Sequence, residues 1–384
     1  MNGKETSMKP LFIMNAFKGT MTSIEMNQML NKRFPNGNSF VYSDGGDGFL
    51  SSMESILKQP FLKREIQIFD PYLKEKRKAI YLIQGDTAYI ESAQAIGYRL
   101  SETKDVYHAS SCPLGEMIKD ALDFPIKYIK IGLGGSMTND LGSGMLEALQ
   151  VRFLDKDSNP VHPKGNNLIE IQDMNLSCFD KRMNNIKVTA FSDVDNPLLG
   201  KEGATYCFAP QKGAKEQDLP ELEKGMKNLA EIYIRKTGKD KTEIPGAGAA
   251  GGLGYALITF FDTTITSGSD FLLSRNEIKE AIRSSDCLFT GEGKVDSTSF
   301  HGKGSLDIIE KAKKENPEIH IVLLVGSIEE PSRRKLLEKY PDILILPMIG
   351  NAMEYPKEIR KQKAMEIFEK TVDLNRCKIE DMIK

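Results

Sequence analysis

Leu288-Phe289-Thr290-Gly291-Glu292-Gly293-Lys294-Val295-Asp296 is the stretch on which the fold reading turns. The apolar run 287–289 predicts a short buried parallel strand. It breaks into glycines carrying Glu292, Lys294 and Asp296, then continues through Ser297-Thr298-Ser299-Phe300-His301-Gly302-Lys303-Gly304. A helical pattern begins near Ser305 and holds Leu306, Ile308 and Ile309. Strand, polar glycine-rich loop and helix together place ligands at the carboxyl end of a parallel sheet. Glycines let backbone N–H groups approach an anion closely. Lys294 and Lys303 can balance its charge, and Glu292 and Asp296 can hold Mg2+ or accept a proton. The competing reading is a surface turn with scattered charges, because loops collect charge anyway.

The same texture recurs toward both ends of the chain. Leu11-Phe12-Ile13-Met14 predicts a strand that runs into Asn15-Ala16-Phe17-Lys18-Gly19-Thr20. A helix follows, with Thr22 or Ser23 as cap and Glu25 favourable in its first turn. Lys18 therefore sits in a strand-to-helix loop, where it either meets phosphate or is simply solvated. Phe40-Val41-Tyr42-Ser43 predicts the next strand, ending in Asp44-Gly45-Gly46-Asp47-Gly48. Two aspartates among three glycines at a strand end suit Mg2+ or a substrate hydroxyl, and a turn explains one Asp-Gly pair better than two. Buried strands are expected at 319–325 and 343–346, and an amphipathic helix over 361–384.

The middle of the chain reads differently. Ile66, Ile68, Ala79, Tyr81 and Ile83 alternate with period two, which predicts antiparallel strands. Tyr128-Ile129-Lys130-Ile131 predicts a short strand leading into Gly132-Leu133-Gly134-Gly135-Ser136-Met137-Thr138-Asn139-Asp140 and a helix. Those small residues let backbone N–H groups and the Ser136 and Thr138 hydroxyls surround a phosphate. Val188 to Ser192 leads into Asp193-Val194-Asp195-Asn196, a candidate cation or hydroxyl site that could equally be a turn. Lys212 lies in the loop expected at Pro210-Gln211-Lys212-Gly213. Gly246, Gly248 and Gly251 spell G-x-G-x-x-G, but a charged loop and Pro245 precede them where a buried strand should be. Close packing of a Gly/Ala-rich helix start is the favoured reading there.

At 384 residues the chain exceeds what one core usually supports, so two domains are expected. A formal charge of −2 gives no bulk attraction to nucleic acid or anionic lipid. No apolar stretch approaches ~18 residues, and the start of the chain lacks the apolar core of a signal peptide, so the expectation is a cytoplasmic protein with no membrane partner. Five scattered cysteines without C-x-x-C argue against both a disulfide framework and structural zinc. The shared texture of the two ends predicts an α/β fold: a discontinuous flavodoxin/Rossmann-like parallel-sheet domain, 1–75 plus 285–384, with a mixed α/β domain inserted at 76–284.

Taken together and in order, Phe17-Lys18-Gly19, Asp44-Gly45-Gly46-Asp47-Gly48, Gly132 to Asp140, Asp193-Val194-Asp195-Asn196-Pro197-Leu198, Pro210 to Ala214, Pro245 to Gly254 and Thr290 to Asp296 resemble the glycerate kinase family of the type widespread in bacteria. The resemblance covers nearly the whole chain. It implies ATP-dependent phosphorylation of D-glycerate, with 2-phosphoglycerate the favoured product, by a two-domain α/β enzyme with its active site in the cleft between domains. On that reading ATP and Mg2+ are the cofactors, and the protein is a monomer or homodimer. Asp193, Asp296 and Lys18 are the candidate catalytic groups. Asp44, Gly45, Gly46, Asp47, Gly134, Gly135, Ser136, Thr138, Asn139, Asp195, Lys212, Glu292, Lys294, His301 and Lys303 are the candidates for binding substrate and ATP. Asp44, Asp193 and Asp195 are the candidates for metal.

The sequence departs from the family pattern at several points. Asn15-Ala16 stands where the family usually has Asp-Ser, Cys112-Pro113-Leu114-Gly115 where it has Tyr-Gly-Thr-Gly, Leu141 where a Gly follows the Asn-Asp, and Ser192 where a Cys precedes Asp-Val-Asp. Loss of a carboxylate and a hydroxyl at 15–16 keeps two alternatives open: a kinase for another small hydroxy acid, and a non-catalytic sensor of sugar acid or nucleotide on the same fold.

Overall fold

The computed structural model describes residues 8–57, 60–300 and 304–382. His301 and Lys303 therefore lie outside the described residues. The chain forms two compact units, one of Met1–Ser43, Glu54–Ile56 and Ser269–Lys384, the other of Asp44–Met53 and Leu57–Gly268. The sequence reading sets the boundaries near 75 and 285. The first falls earlier because the hairpin strands Leu62–Phe69 and Lys76–Gln84 belong to the sheet of the second unit, which ends at Gly268.

Among the described residues, the first unit holds a five-stranded sheet in which every pairing is parallel. In chain order its strands are Pro10–Phe12, Asn38–Ser39, Cys287–Val295, His320–Ile328 and Leu344–Pro347, and their spatial order is 2-1-3-4-5. That is the flavodoxin-like doubly wound order, whose switch point lies between the first and third strands. Phe12, Phe34 and Phe289 meet beneath the sheet with ring centroids 5.1–6.5 Å apart. Ala364, Phe368 and Val372, from the helix Lys357–Leu374, close the same core. The helix Ser23–Arg33 starts as its sequence demands. Thr22 Oγ1 accepts from the Glu25 N–H, and Glu25 Oε2 accepts from the Thr22 N–H, a reciprocal cap.

Three local expectations need correction. The strand beginning at Cys287 does not end at Phe289. It runs to Val295, with Glu292 opposite Val325 and Lys294 opposite Ser327. Glycine makes this possible, since a Cβ at Gly291 would stand 2.1 Å from the Leu324 carbonyl oxygen. The strand expected at 40–43 is instead Asn38–Ser39. Beyond it, the Val41 and Tyr42 N–H groups donate to the Ser55 and Ser23 hydroxyls rather than to a neighbouring strand. The terminal helix is two helices, Lys357–Leu374 and Arg376–Met382, broken at Asn375.

The second unit carries a mixed sheet. In order across it, the strands are Thr264–Thr266, Lys187–Phe191, Tyr128–Gly132, Thr87–Glu91, Lys76–Gln84 and Leu62–Phe69. The first four run parallel, and the last two pairings are antiparallel, as period-two alternation requires. Helices Cys112–Ala121, Ser143–Ala148, Leu219–Thr237 and Ala249–Phe261 cover it, burying a continuous apolar core that includes Tyr81, Ile129, Ile131, Leu146 and Tyr233. Among the described residues, no helix is long and apolar enough to cross a membrane.

Candidate active site

The sequence-derived residues fall into two groups, one on each unit. In the second unit, Glu91, Gly132, Phe191 and Thr266 form one row across the four parallel strands. Loops leave this row at the carboxyl edge of the parallel sheet, the edge where α/β sheets bind ligands.

The glycine loop after Gly132 interlocks with a second one, Asp44–Gly48. A Cβ at Gly134 would stand 2.4 Å from Gly46 Cα, and one at Gly135 would stand 2.2 Å from Asp47 Oδ1. The Asp44–Gly48 loop and the Gly132–Asp140 loop, read separately in the sequence, are thus one assembly. Asp44 Oδ1 accepts from the Gly46 N–H at 3.0 Å. Asp47 lies 3.4 Å from Arg99, an exposed cation that sequence reasoning missed. Asp193 Oδ1 accepts from the Gly268 N–H at 3.1 Å, and a Cβ at Gly268 would stand 2.3 Å from Gly45, so the Asp193 loop joins the same assembly. Asp195 is exposed.

Lys212 is the most informative side chain here. It comes from the turn Pro210–Lys212 and is buried. Its Nζ donates to Ser136 Oγ at 3.1 Å and to the Thr138 carbonyl at 2.7 Å. Burial pulls its pKa down to about 7, against the opposing pull of Asp140. Beside it, Thr138 Oγ1 and Asn139 Oδ1 are buried with no hydrogen-bond partner among the described residues. Asp140 fixes the loop from behind. Its carboxylate accepts from the Ser111 N–H and hydroxyl at 2.7 Å, and from the Gly142 and Gly144 N–H groups at 3.2 and 3.3 Å. Burial pushes that carboxyl up while the four donors pull it down. A buried ammonium behind glycines and hydroxyls, with polar atoms left over, is equipped to receive an anion.

The G-x-G-x-x-G segment serves packing. No strand leads into it, and a Cβ at Gly251 would stand 2.0 Å from the Thr138 carbonyl oxygen. The Leu141 N–H donates to the Gly251 carbonyl, bracing the end of the Gly132–Asp140 loop.

In the first unit the second group gathers at the switch point. The Asn15 N–H donates to the Gly291 carbonyl at 3.1 Å, setting Asn15 beside Glu292. A Cβ at Gly304 would meet Asn15 Nδ2 at 3.0 Å and Glu292 Oε2 at 3.2 Å. Ser305 Oγ donates to Glu292 Oε1 at 2.5 Å. Burial pushes the Glu292 carboxyl up against that bond; Asp296 pushes it further, and Lys18 pulls it back. Lys294 is engaged by Asp296 at 3.2 Å and Glu329 at 2.8 Å. Lys18 is exposed on the loop after the first strand.

The model of the glycerate kinase family matches residues 11–372. The chain belongs to the glycerate kinase family. The glycerate kinase of Halalkalibacterium halodurans is 34% identical over 82% of this chain and 84% of its own. The glycerate 2-kinase of Escherichia coli is 34% identical, covering 84% and 86%. The crystal structure described as glycerate kinase 2 from Salmonella typhimurium covers 97% of this chain and 99% of its own with a TM-score of 0.71, at 26% identity.

Sequence reasoning passed over Glu91 and left Asp140 without a role. The signal for Glu91 was available: an acidic residue closing the apolar run Tyr89-Ile90 at a strand's carboxyl end.

Proposed function

We propose that this enzyme transfers the γ-phosphoryl group of ATP to a hydroxyl of D-glycerate, with 2-phosphoglycerate as product. The observation that carries the reading is the buried Lys212 ammonium held against Ser136 and Thr138. Gly134, Gly135, Ser136, Thr138 and Asn139 cradle the phosphates, and Lys212 supplies charge from beneath. Lys18 and Lys294 are the further cations for phosphate or the glycerate carboxylate. The printed name of the Escherichia coli relative supports the 2-position.

Among the described residues, no three or more His, Cys, Asp or Glu side chains converge as a metal cage. That fits Mg2+ carried in on the nucleotide, which takes one or two carboxylates and completes its shell with phosphate and water oxygens. Asp44 and Asp193, with Asp195, are the hard oxygen donors available to it. Bound there, Mg2+ would neutralise phosphate charge. Asp193 and Asp296 are the carboxylates assigned to take the hydroxyl proton.

A coupled ADP-release assay with D-glycerate, ATP and Mg2+, followed by NMR identification of the phosphoglycerate, tests the reading. The expected result is 2-phosphoglycerate. Folded protein that binds ATP but forms no product overturns it. Unchanged turnover in both Asp193→Ala and Asp296→Ala overturns the assignment of the base.

A further inference from the structure

Within the Asp44–Gly48 loop, the Gly46 N–H donates to Asp44 Oδ1. Gly45 and Gly48 stand at φ of 93° and 85°, conformations open to many alternatives in a glycine-rich segment. The loop ends at the N-terminus of the helix Phe49–Ile56, whose cap residue Gly48 has no side chain to offer the first N–H groups. The acceptor comes instead from 41 or more residues away. Glu91 Oε1 accepts from the Gly48 N–H at 3.1 Å, and Oε2 accepts from the Leu50 N–H at 2.9 Å. Glu91 is 5% exposed and is the last residue of its strand, opposite Gly132. A Cβ at Gly132 would in turn stand 2.7 Å from the Gly45 carbonyl oxygen.

We propose that Glu91 is the positioning residue of this site: its carboxylate caps the helix that the Asp44–Gly48 loop enters, and so sets where Asp44 and Asp47 stand against the Gly134–Asp140 loop. A carboxylate suits this place because both of its oxygens accept, and because a helix N-terminus favours negative charge. The catalytic consequence rests on the kinase reading of Asp44 and Asp47; the structural one does not.

Glu91→Gln keeps the size and removes one acceptor, turning an amide NH2 toward a backbone N–H. Glu91→Asp keeps the charge on a shorter stem. Hydrogen exchange, followed by mass spectrometry on the protein without substrates, reads the loop directly. The expected result for Glu91→Gln is exchange at least fivefold faster in residues 44–50 with no change in residues 128–132, and partial recovery in Glu91→Asp. The kcat for glycerate falls at least tenfold in Glu91→Gln and recovers in the same order. Unchanged exchange at 44–50, or equal acceleration at 128–132, overturns the proposal. Faster local exchange with undiminished turnover upholds Glu91 as the anchor and counts against Asp44 and Asp47 as site residues.

Discussion

The Nζ of Lys212 donates to the carbonyl oxygen of Thr138 at 2.7 Å, with both residues buried. A hydroxyl and a carbonyl do not replace the water an ammonium loses. The charge is therefore costly in the free protein, and that cost should be visible in its stability.

Burial lowers the Lys212 pKa from 10.5 to about 7. Below pH 7 the folded and unfolded chains both carry the charge, and the folded chain bears the full desolvation penalty, on the order of 5 kcal/mol for such a shift. Between about 7 and 10.5 the unfolded chain holds one more proton, so this residue's penalty fades as pH rises. Lys212→Met should thus melt above the parent protein near pH 6, with the margin shrinking near pH 9, while turnover falls at least a hundredfold. Thermal denaturation at the two pH values checks the sign. A margin independent of pH would contradict it.

Gly251→Ala tests whether the G-x-G-x-x-G segment is structural support for the anion loop. Gly251 stands at φ 71°, and its new Cβ would stand 2.0 Å from the Thr138 carbonyl oxygen, the atom that holds Lys212. Strain at positive φ and overpacking each cost about 1–3 kcal/mol. The expected outcome is a fall in Tm of at least about 5 °C together with a raised KM for ATP. No change in NAD(P) affinity is expected, because no strand leads into this segment to build a dinucleotide site.

How much of this was legible in the sequence depends on the range of the contact. The reciprocal cap of Thr22 and Glu25 spans three residues and could be read directly. So could the glycine stop at Gly238, which caps its helix at φ 70°. The loops at Asp44, Gly134 and Asp193 could be picked out by residue type, because small and acidic residues after apolar runs have few structural reasons to gather. Their interlocking could not, since nothing local links Gly46 to Gly134. The burial of Lys212 was hidden for the same reason: its partners lie 74 and 76 residues away. The strand through Glu292 was misjudged because glycine and charge signal a loop locally. Pairing with His320–Ile328 and the close approach at Gly291 override that signal.

Asn15→Asp should move the titration of Glu292. A carboxylate at position 15 would stand beside one whose pKa burial has already raised, and a like charge raises it further. If the ionised Glu292 is needed for turnover, the acid limb of the kcat profile shifts to higher pH. Ser305→Ala should shift it the same way, because the Ser305 hydroxyl donates to the charged form and lowers the pKa. A pH–rate series on the three proteins reads both effects. An acid limb that moves to lower pH in either variant would contradict the placement of Asn15 and Ser305 around this carboxylate.

Asp193→Asn separates charge from shape in the second unit. Asparagine keeps an Oδ1 acceptor for the Gly268 N–H, so the loop against Gly45 should hold and Tm should stay within about 2 °C. What disappears is a negative charge that can face Mg2+ or receive the hydroxyl proton. Loss of a general base typically reduces kcat by about 10²–10⁴-fold. The Mg2+ concentration for half-maximal rate distinguishes the two roles. If Asp193 helps hold the cation, that concentration rises severalfold and excess Mg2+ restores part of the rate. If Asp193 only accepts the proton, Mg2+ dependence is unchanged and the rate stays low at any concentration. A variant with normal turnover at low Mg2+ would remove Asp193 from the site altogether and leave Asp47, whose Oδ1 lies 2.2 Å from where a Cβ at Gly135 would stand, as the acidic group to test next.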